Sequence, residues 1–188
     1  SGKGGNVIAF LMEHEQFNYP ESIRYLANKY NIEIIETAES AENVQERNER
    51  ESLFIINSFA LKYFQDILLK KDQINKYLED RGLSKSTIQN FSIGYSNDSK
   101  NQFYKIASDN GFSDDYLFET GLVISSDKQR IDRFRGRIIF PIKSIAGRIL
   151  GFGGRIIDST KKIAKYINSP ESKIYNKSKT LYGIYESK

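Results

Sequence analysis

The chain has 188 residues, 39% hydrophobic and 28% charged, enough for one well-buried domain plus a small appendage, and this composition excludes a disordered tail. It contains no cysteine, which excludes a disulfide framework and a cysteine-type zinc site in this stretch and suits a reducing cytoplasm. The net charge of +4 conceals two opposed segments: residues 1–127 hold 13 Lys and Arg against 20 Asp and Glu (−7), while residues 128–188 hold 15 against 4 (+11). A basic block of that density attracts polyanions, and it points to nucleic acid.

In chain order, Gly2, Gly4 and Gly5 around Lys3 read as a turn, and Val7, Ile8, Phe10 and Leu11 follow as an apolar stripe with helical spacing. A second helix is expected from Pro20, with Ile23, Leu26, Ala27 and Tyr30 on one face, and Ile32, Ile34 and Ile35 as a short strand or extended exit. Ala38–Arg50 is highly charged and nearly free of large apolar residues, so it reads as a linker or an exposed helical arm and marks a boundary.

A long amphipathic helix is carried by Leu53, Ile56, Ala60, Phe64, Ile67 and Leu68. Helical signals continue over Asp72–Asp80 until Gly82, and Ser84 caps a short helix with Thr87 and Ile88. Phe91, Ile93 and Tyr95 alternate as a strand, and Asn101–Asn110 and Ser113–Glu119 read as helices. After Gly121 the period becomes two: Leu122–Ile124, Arg137–Ile142 and Arg148–Phe152 are expected strands, with Arg155–Ile157 and Tyr166–Ile167 as continuations. Pro141 is expected at a sheet edge or strand end. The pattern predicts an α+β fold: a helical N-terminal part, then a small mostly antiparallel sheet, with a closing helix over Thr180–Glu186. No apolar run approaches the roughly 18 to 20 residues a membrane helix needs. No signal peptide is visible, and the basic block lacks the amphipathic helix of a membrane-surface binder. The chain opens on Ser1 rather than Met and reads as part of a longer protein.

Three groups of residues carry chemistry. If Arg133, Arg135 and Arg137 lie on one strand they share a face, where three guanidiniums repel unless an anion or a line of carboxylates sits opposite. Phosphate suits that demand because guanidinium binds it bidentately. The plainer alternative is a solvated face paired with acidic neighbours, of which the block holds only four. Gly151-Phe152-Gly153-Gly154-Arg155 is neither a Walker loop nor a dinucleotide fingerprint. It reads equally as a bulged strand or tight crossing, and Arg155 is its informative residue. Lys165-Tyr166-Ile167-Asn168 places a cation, a stacking ring and an amide together, as single-strand binders do, with Lys173, Tyr175, Lys177 and Lys179 extending the pattern. Any one of these tyrosines is better explained by packing than by stacking. His14, beside Glu13 and Glu15, is the single histidine and reads as a surface residue; Glu79-Asp80 and Asp114-Asp115 read as helix-end charges. The basic block offers no carboxylate cluster of the kind that holds magnesium in phosphoryl transfer.

These residues resemble a known family. Gly2-Lys3-Gly4-Gly5-Asn6, Phe10-Leu11-Met12-Glu13, Pro20-Glu21 and Arg24-Tyr25-Leu26-Ala27 look like the end of the zinc-binding domain of bacterial replicative DNA primases. Arg81-Gly82-Leu83, Ile93-Gly94-Tyr95, Arg133-Phe134-Arg135 with Arg137, and Phe140-Pro141-Ile142 resemble the start of that family's RNA polymerase core. So do Gly151–Arg155, Lys165–Glu171 and Leu181-Tyr182-Gly183.

The resemblance implies a cytoplasmic DNA-directed RNA polymerase that makes short RNA primers on single-stranded DNA. Its partners are the template strand, the RNA primer, nucleoside triphosphates and the replicative helicase, the last through a C-terminal region outside this chain. It divides the chain into the end of a zinc-binding domain (1–37), a charged linker (38–50) and the N-terminal subdomain of the core (51–188). Carried over by motif, the residues facing nucleic acid and nucleotide are Arg133, Arg135, Arg155, Lys165, Tyr166, Asn168 and Lys177. Magnesium and zinc are expected for the full-length protein and neither in this chain, which alone is expected to be inactive; the catalytic carboxylates belong to a Toprim subdomain expected after Lys188. Ser1 stands where the last zinc-ligand cysteine is usual, and Asn90 where the family often has a basic residue, so one template contact is expected to be missing. The alternative reading is a stand-alone single-strand-binding module without catalysis. A basic RNA- or ribosome-associated protein accounts for the charge but not for the order of the motifs.

Overall fold

The computed structural model describes residues 6–33, 41–158, 160 and 163–187. Two helices open it, α1 (Val7–His14) and α2 (Tyr19–Tyr30). Asn6 caps α1 by accepting the Ala9 N–H at 2.9 Å. Asn18 and Glu21 form a reciprocal capping box on α2, with Pro20 in the first turn. The Gly-rich turn at residues 2–5 and most of the extended exit, including Ile34 and Ile35, lie outside the described residues.

Helix α3 (Ala41–Leu69) absorbs both the charged stretch and the amphipathic helix that follows it, so residues 41–50 form a helical arm. That arm is not wholly exposed. Arg50 is buried, its Nη1 and Nη2 donating to the carbonyls of Lys173 and Gln16, with Nε 3.3 Å from Glu21 Oε1. Together with buried Glu15, whose Oε2 accepts the Ala146 N–H at 3.0 Å, this contact seats the first two helices on the rest of the molecule. By length and composition α3 meets the requirement for a membrane span, its most apolar 18-residue stretch having a mean hydropathy of 1.2, against the sequence expectation. Its stripe of Leu53, Ile56, Ala60, Phe64 and Leu68 is buried inside the protein.

Short helices α4 (Asp72–Asp80) and α5 (Lys85–Asn90) lead to strand β1 (Gly94–Ser96). Ser84 caps α5 by accepting the Thr87 N–H. Helices α6 (Gln102–Asp109) and α7 (Asp114–Glu119) precede a hairpin of β2 (Val123–Ser126) and β3 (Gln129–Asp132). Its tip, Asp127-Lys128, has positive φ at both positions (49° and 62°), the backbone of a tight two-residue turn. The sequence showed only the start of β2, since Gln129-Arg130-Ile131-Asp132 has little apolar content.

Strands β4 (Arg137–Lys143), β5 (Ile149–Ile156) and β6 (Tyr166–Asn168) join β1 in an antiparallel sheet of order β1-β4-β5-β6. The stretches read as Arg148–Phe152 and Arg155–Ile157 are one continuous strand, β5. Pro141 lies inside β4, which is not an edge strand, but β1 has ended at the Gly94–Ile139 pair, so β4 is locally an edge there. One face of the sheet presents Ile139 and Phe152 to Phe64, Phe103, Leu117 and Phe134. The other presents Ile138 to Leu68, Leu78 and Ile93. Asn57, fully buried on α3, donates to the carbonyls of Ile149 and Leu150, both at 3.1 Å.

The expected closing helix over Thr180–Glu186 does not form. A short 3-10 helix, Lys177–Lys179, is followed by successive turns, and Gly183 at φ +81° interrupts any helical run. The turns are fastened from inside by Glu186, which meets Lys143 Nζ at 2.8 Å with both side chains buried.

Candidate nucleic-acid interface

The register of β5 and β6 sets Arg155 opposite Tyr166 and Gly153 opposite Asn168. Side chains of paired residues share a face, so Arg155, Tyr166 and Asn168 stand together. The Arg155 guanidinium carbon and Lys165 Nζ each lie 5.9 Å from the centroid of the Tyr166 ring, which is 62% exposed. Gly153 leaves room for the amide: a β-carbon there would meet Asn168 Oδ1 at 3.2 Å. Gly154 faces the other way, where a β-carbon would come within 2.7 Å of the Phe134 ring. Both readings of the glycine run hold in part: the pairing of β5 with β4 shifts register between Gly151 and Ile149, an irregularity at the start of the run, and beyond it Gly154 packs closely against Phe134.

Two residues not singled out as binding candidates complete this group. Tyr77 on α4 accepts a hydrogen bond from Arg155 Nη1 at 2.9 Å, and its ring lies 5.8 Å from the Arg155 guanidinium. Arg81, just past α4, lies 5.3 Å from the same ring. The result is a run of alternating cations and rings: Arg81, Tyr77, Arg155, Tyr166, Lys165. Four-residue spacing between Tyr77 and Arg81 in a helical stretch was the signal available in the sequence.

Arg133, Arg135 and Arg137 do not share a strand face. Only Arg137 belongs to β4; Arg133–Gly136 is a turn, with Gly136 at φ +64°. Arg133 Nε and Nη2 donate to the Asn168 carbonyl at 3.3 and 3.2 Å. Arg137, buried, donates through Nη1 to the Arg135 carbonyl at 3.1 Å and through Nη2 to the Ala164 carbonyl at 2.9 Å. Burial holds the Arg137 guanidinium below its ordinary pKa, helped by the charges of Arg135 and Arg133 and opposed by Asp98. Arg135 is exposed. These residues line a cavity of about 260 Å3 with Asp98 and Ile163. Strand alternation puts Arg137 on the face opposite Arg155. Thus the structure gathers Arg155, Lys165, Tyr166 and Asn168, places Arg133 and Arg135 on the far side of the same edge strand, and leaves Lys177 on a separate segment. Lys177 is exposed, and its N–H donates to Glu171 Oε1 at 2.8 Å.

The extension through Lys173 and Tyr175 is not part of this group. Lys173 pairs with Glu49 at 2.5 Å, and Tyr175 is packed in the core. Carboxylates also take Arg130, Lys143 and Arg148, through Asp114, Glu186 and Glu51. Three of these four partners come from before the basic block, so counting acids within it underestimated its neutralisation. Among the described residues Arg155 and Lys165 form no ion pair with a carboxylate.

The described residues contain no group of three or more His, Asp or Glu side chains able to hold a metal ion. His14 stacks on Phe10 with centroids 4.2 Å apart.

Residues 63–188 match the model of the DNA primase catalytic core, N-terminal domain, and residues 1–42 match that of the CHC2 zinc finger. DNA primase of Clostridium acetobutylicum is 37% identical over 97% of the chain, and that of Escherichia coli K12 is 34% identical over 99%. The chain spans 30% and 32% of these two relatives. Among solved structures, a DnaG primase catalytic domain bound to ssDNA is 33% identical, with a TM-score of 0.69 over 75% of this chain and 44% of that one. The Aquifex aeolicus primase zinc-binding and RNA polymerase domains are 29% identical, with a TM-score of 0.67 over 98% of this chain and 43% of that one.

Proposed function

We propose, for a chain that belongs to the family of bacterial DNA primase catalytic-core N-terminal domains, that it forms the part of a primase that holds single-stranded template and nucleotide while short RNA primers are made. The observation that carries this reading is the cluster of Arg155, Lys165 and Tyr166, in which cations meet aromatic rings and, among the described residues, no carboxylate. A phosphate satisfies the guanidinium and the ammonium, and the exposed ring offers a base a stacking face. Asn168 supplies a donor and an acceptor beside them. Arg133 acts by holding the Asn168 carbonyl, and Arg135 and Lys177 add positive charge at the margins.

The charged stretch at 38–50 is the connector between the end of a zinc-binding domain (1–37) and the core subdomain (51–188). Zinc belongs to the wider protein: with no cysteine in the chain and its single histidine stacked on Phe10, the residues present do not fit a zinc site. Magnesium and the reacting carboxylates belong to a further subdomain of the same protein, and contact with the replicative helicase to another region of it, in the bacterial cytoplasm.

The test is fluorescence anisotropy of the 188-residue chain with a labelled oligothymidylate over a salt series. Binding should weaken steeply with salt, and Arg155→Ala and Lys165→Ala should each lower affinity about tenfold and make the salt slope shallower by about 0.7. Indifference to both substitutions would assign the charge to another partner.

A further inference from the structure

We infer that Tyr77 is a positioning residue for Arg155, holding that guanidinium in place for an anionic ligand without neutralising it; the inference rests on the reading above. Among the described residues Arg155 makes one side-chain hydrogen bond, to the Tyr77 hydroxyl at 2.9 Å. Its Nε is buried without a partner among those residues, so Tyr77 is the polar group there that fixes the direction of the fork. The phenol is itself held from behind, since its ring packs against the core of Leu68, Leu78, Ile93 and Ile138. Core packing on α4 is thereby transmitted to a cation on β5.

The chemistry of the acceptor matters. A carboxylate at the same place would orient Arg155 equally well, but it would cancel the charge and compete with phosphate for the same N–H groups. A neutral phenol oxygen takes one N–H and leaves the full positive charge and the outer donors free. Arg81 on the same ring adds a second cation, and the ring's π-face offsets part of the repulsion between the two.

The substitution Tyr77→Phe keeps the ring and removes only the acceptor. In the salt-series titration of the 188-residue chain with labelled oligothymidylate, it should weaken binding about 3- to 10-fold, as loss of a charge-assisted contact does. It should make the salt slope shallower, by up to the roughly 0.7 expected for one phosphate on a single strand. A purely structural role would move the melting temperature and leave that slope unchanged. In an Arg155→Ala background, Tyr77→Phe should cause no further loss, because the two residues act as one unit. Unchanged affinity and slope, or losses that multiply in the double variant, would overturn the role of Tyr77 and leave the binding reading intact. Failure of the unsubstituted chain to bind at any salt concentration would overturn both.

Discussion

Lys143 and Arg155 lie on neighbouring strands of one sheet and carry the same charge to opposite ends. Lys143 is enclosed: Glu186 meets its Nζ at 2.8 Å, Ser92 Oγ accepts from it at 3.0 Å, and the Tyr185 ring lies 5.1 Å away. Arg155 is half-buried among tyrosine rings and, among the described residues, pairs with no carboxylate. The first arrangement closes the chain's last turns onto the sheet; the second leaves charge unspent at an open face. The difference teaches that a basic block is read by the partners of each cation, not by its count.

The largest effect should come from breaking the enclosed pair. Lys143→Met leaves Glu186 buried and unpaired, so the chain should lose about 3 to 5 kcal/mol in urea unfolding, while protein still folded binds single-stranded DNA as before. Equal loss of binding and stability would remove the distinction between the two regions. Next come the adjacent glycines of β5. Gly154→Ala drives a β-carbon into Phe134 and should cost about 1 to 3 kcal/mol. Gly153→Ala meets the movable Asn168 amide and should shift stability by no more than about 1 kcal/mol, with its effect appearing in DNA affinity. Similar stability losses at both positions would show that the two faces of β5 do not divide packing from binding.

The smallest effect is alkaline. Burial pushes the Tyr63 and Tyr182 phenols up to about 12 from an ordinary 10.0, with help from Asp132 and Glu186 respectively. The unfolded chain ionises these groups first, so their contribution to stability is present below pH 10 and should fall as the pH rises from 10 to about 12. Urea midpoints across that window should decline less steeply in Tyr182→Phe than in the parent.

The fold was legible where local rules govern. The apolar stripe of α3, the cap at Ser84, the first-turn Pro20 and the period-two runs of β4 and β5 each recur in the structure. The β2–β3 hairpin was incomplete because β3 is polar and its Asp127-Lys128 turn lacks the usual glycine. The closing helix failed at Gly183. In the candidate site, Arg155, Lys165, Tyr166 and Asn168 were visible as residue types, and their convergence depended on strand register. The arginine ladder was misjudged because Gly136 turns the backbone before β4 begins. The carboxylates that occupy Lys173 and Arg148 come from α3, more than 90 residues earlier in the chain, a pairing no local pattern records.

The grip of Arg133 and Arg137 on two backbone carbonyls has a consequence for self-association. Strand β6 is the sheet's edge, and its bonds to β5 run through the Lys165 carbonyl and the Ser169 N–H. Antiparallel alternation therefore turns the carbonyls of Ala164 and Asn168 outward, where another strand would add. The two guanidiniums occupy those acceptors, so a strand from a neighbouring molecule would have to displace both arginines to pair along this edge.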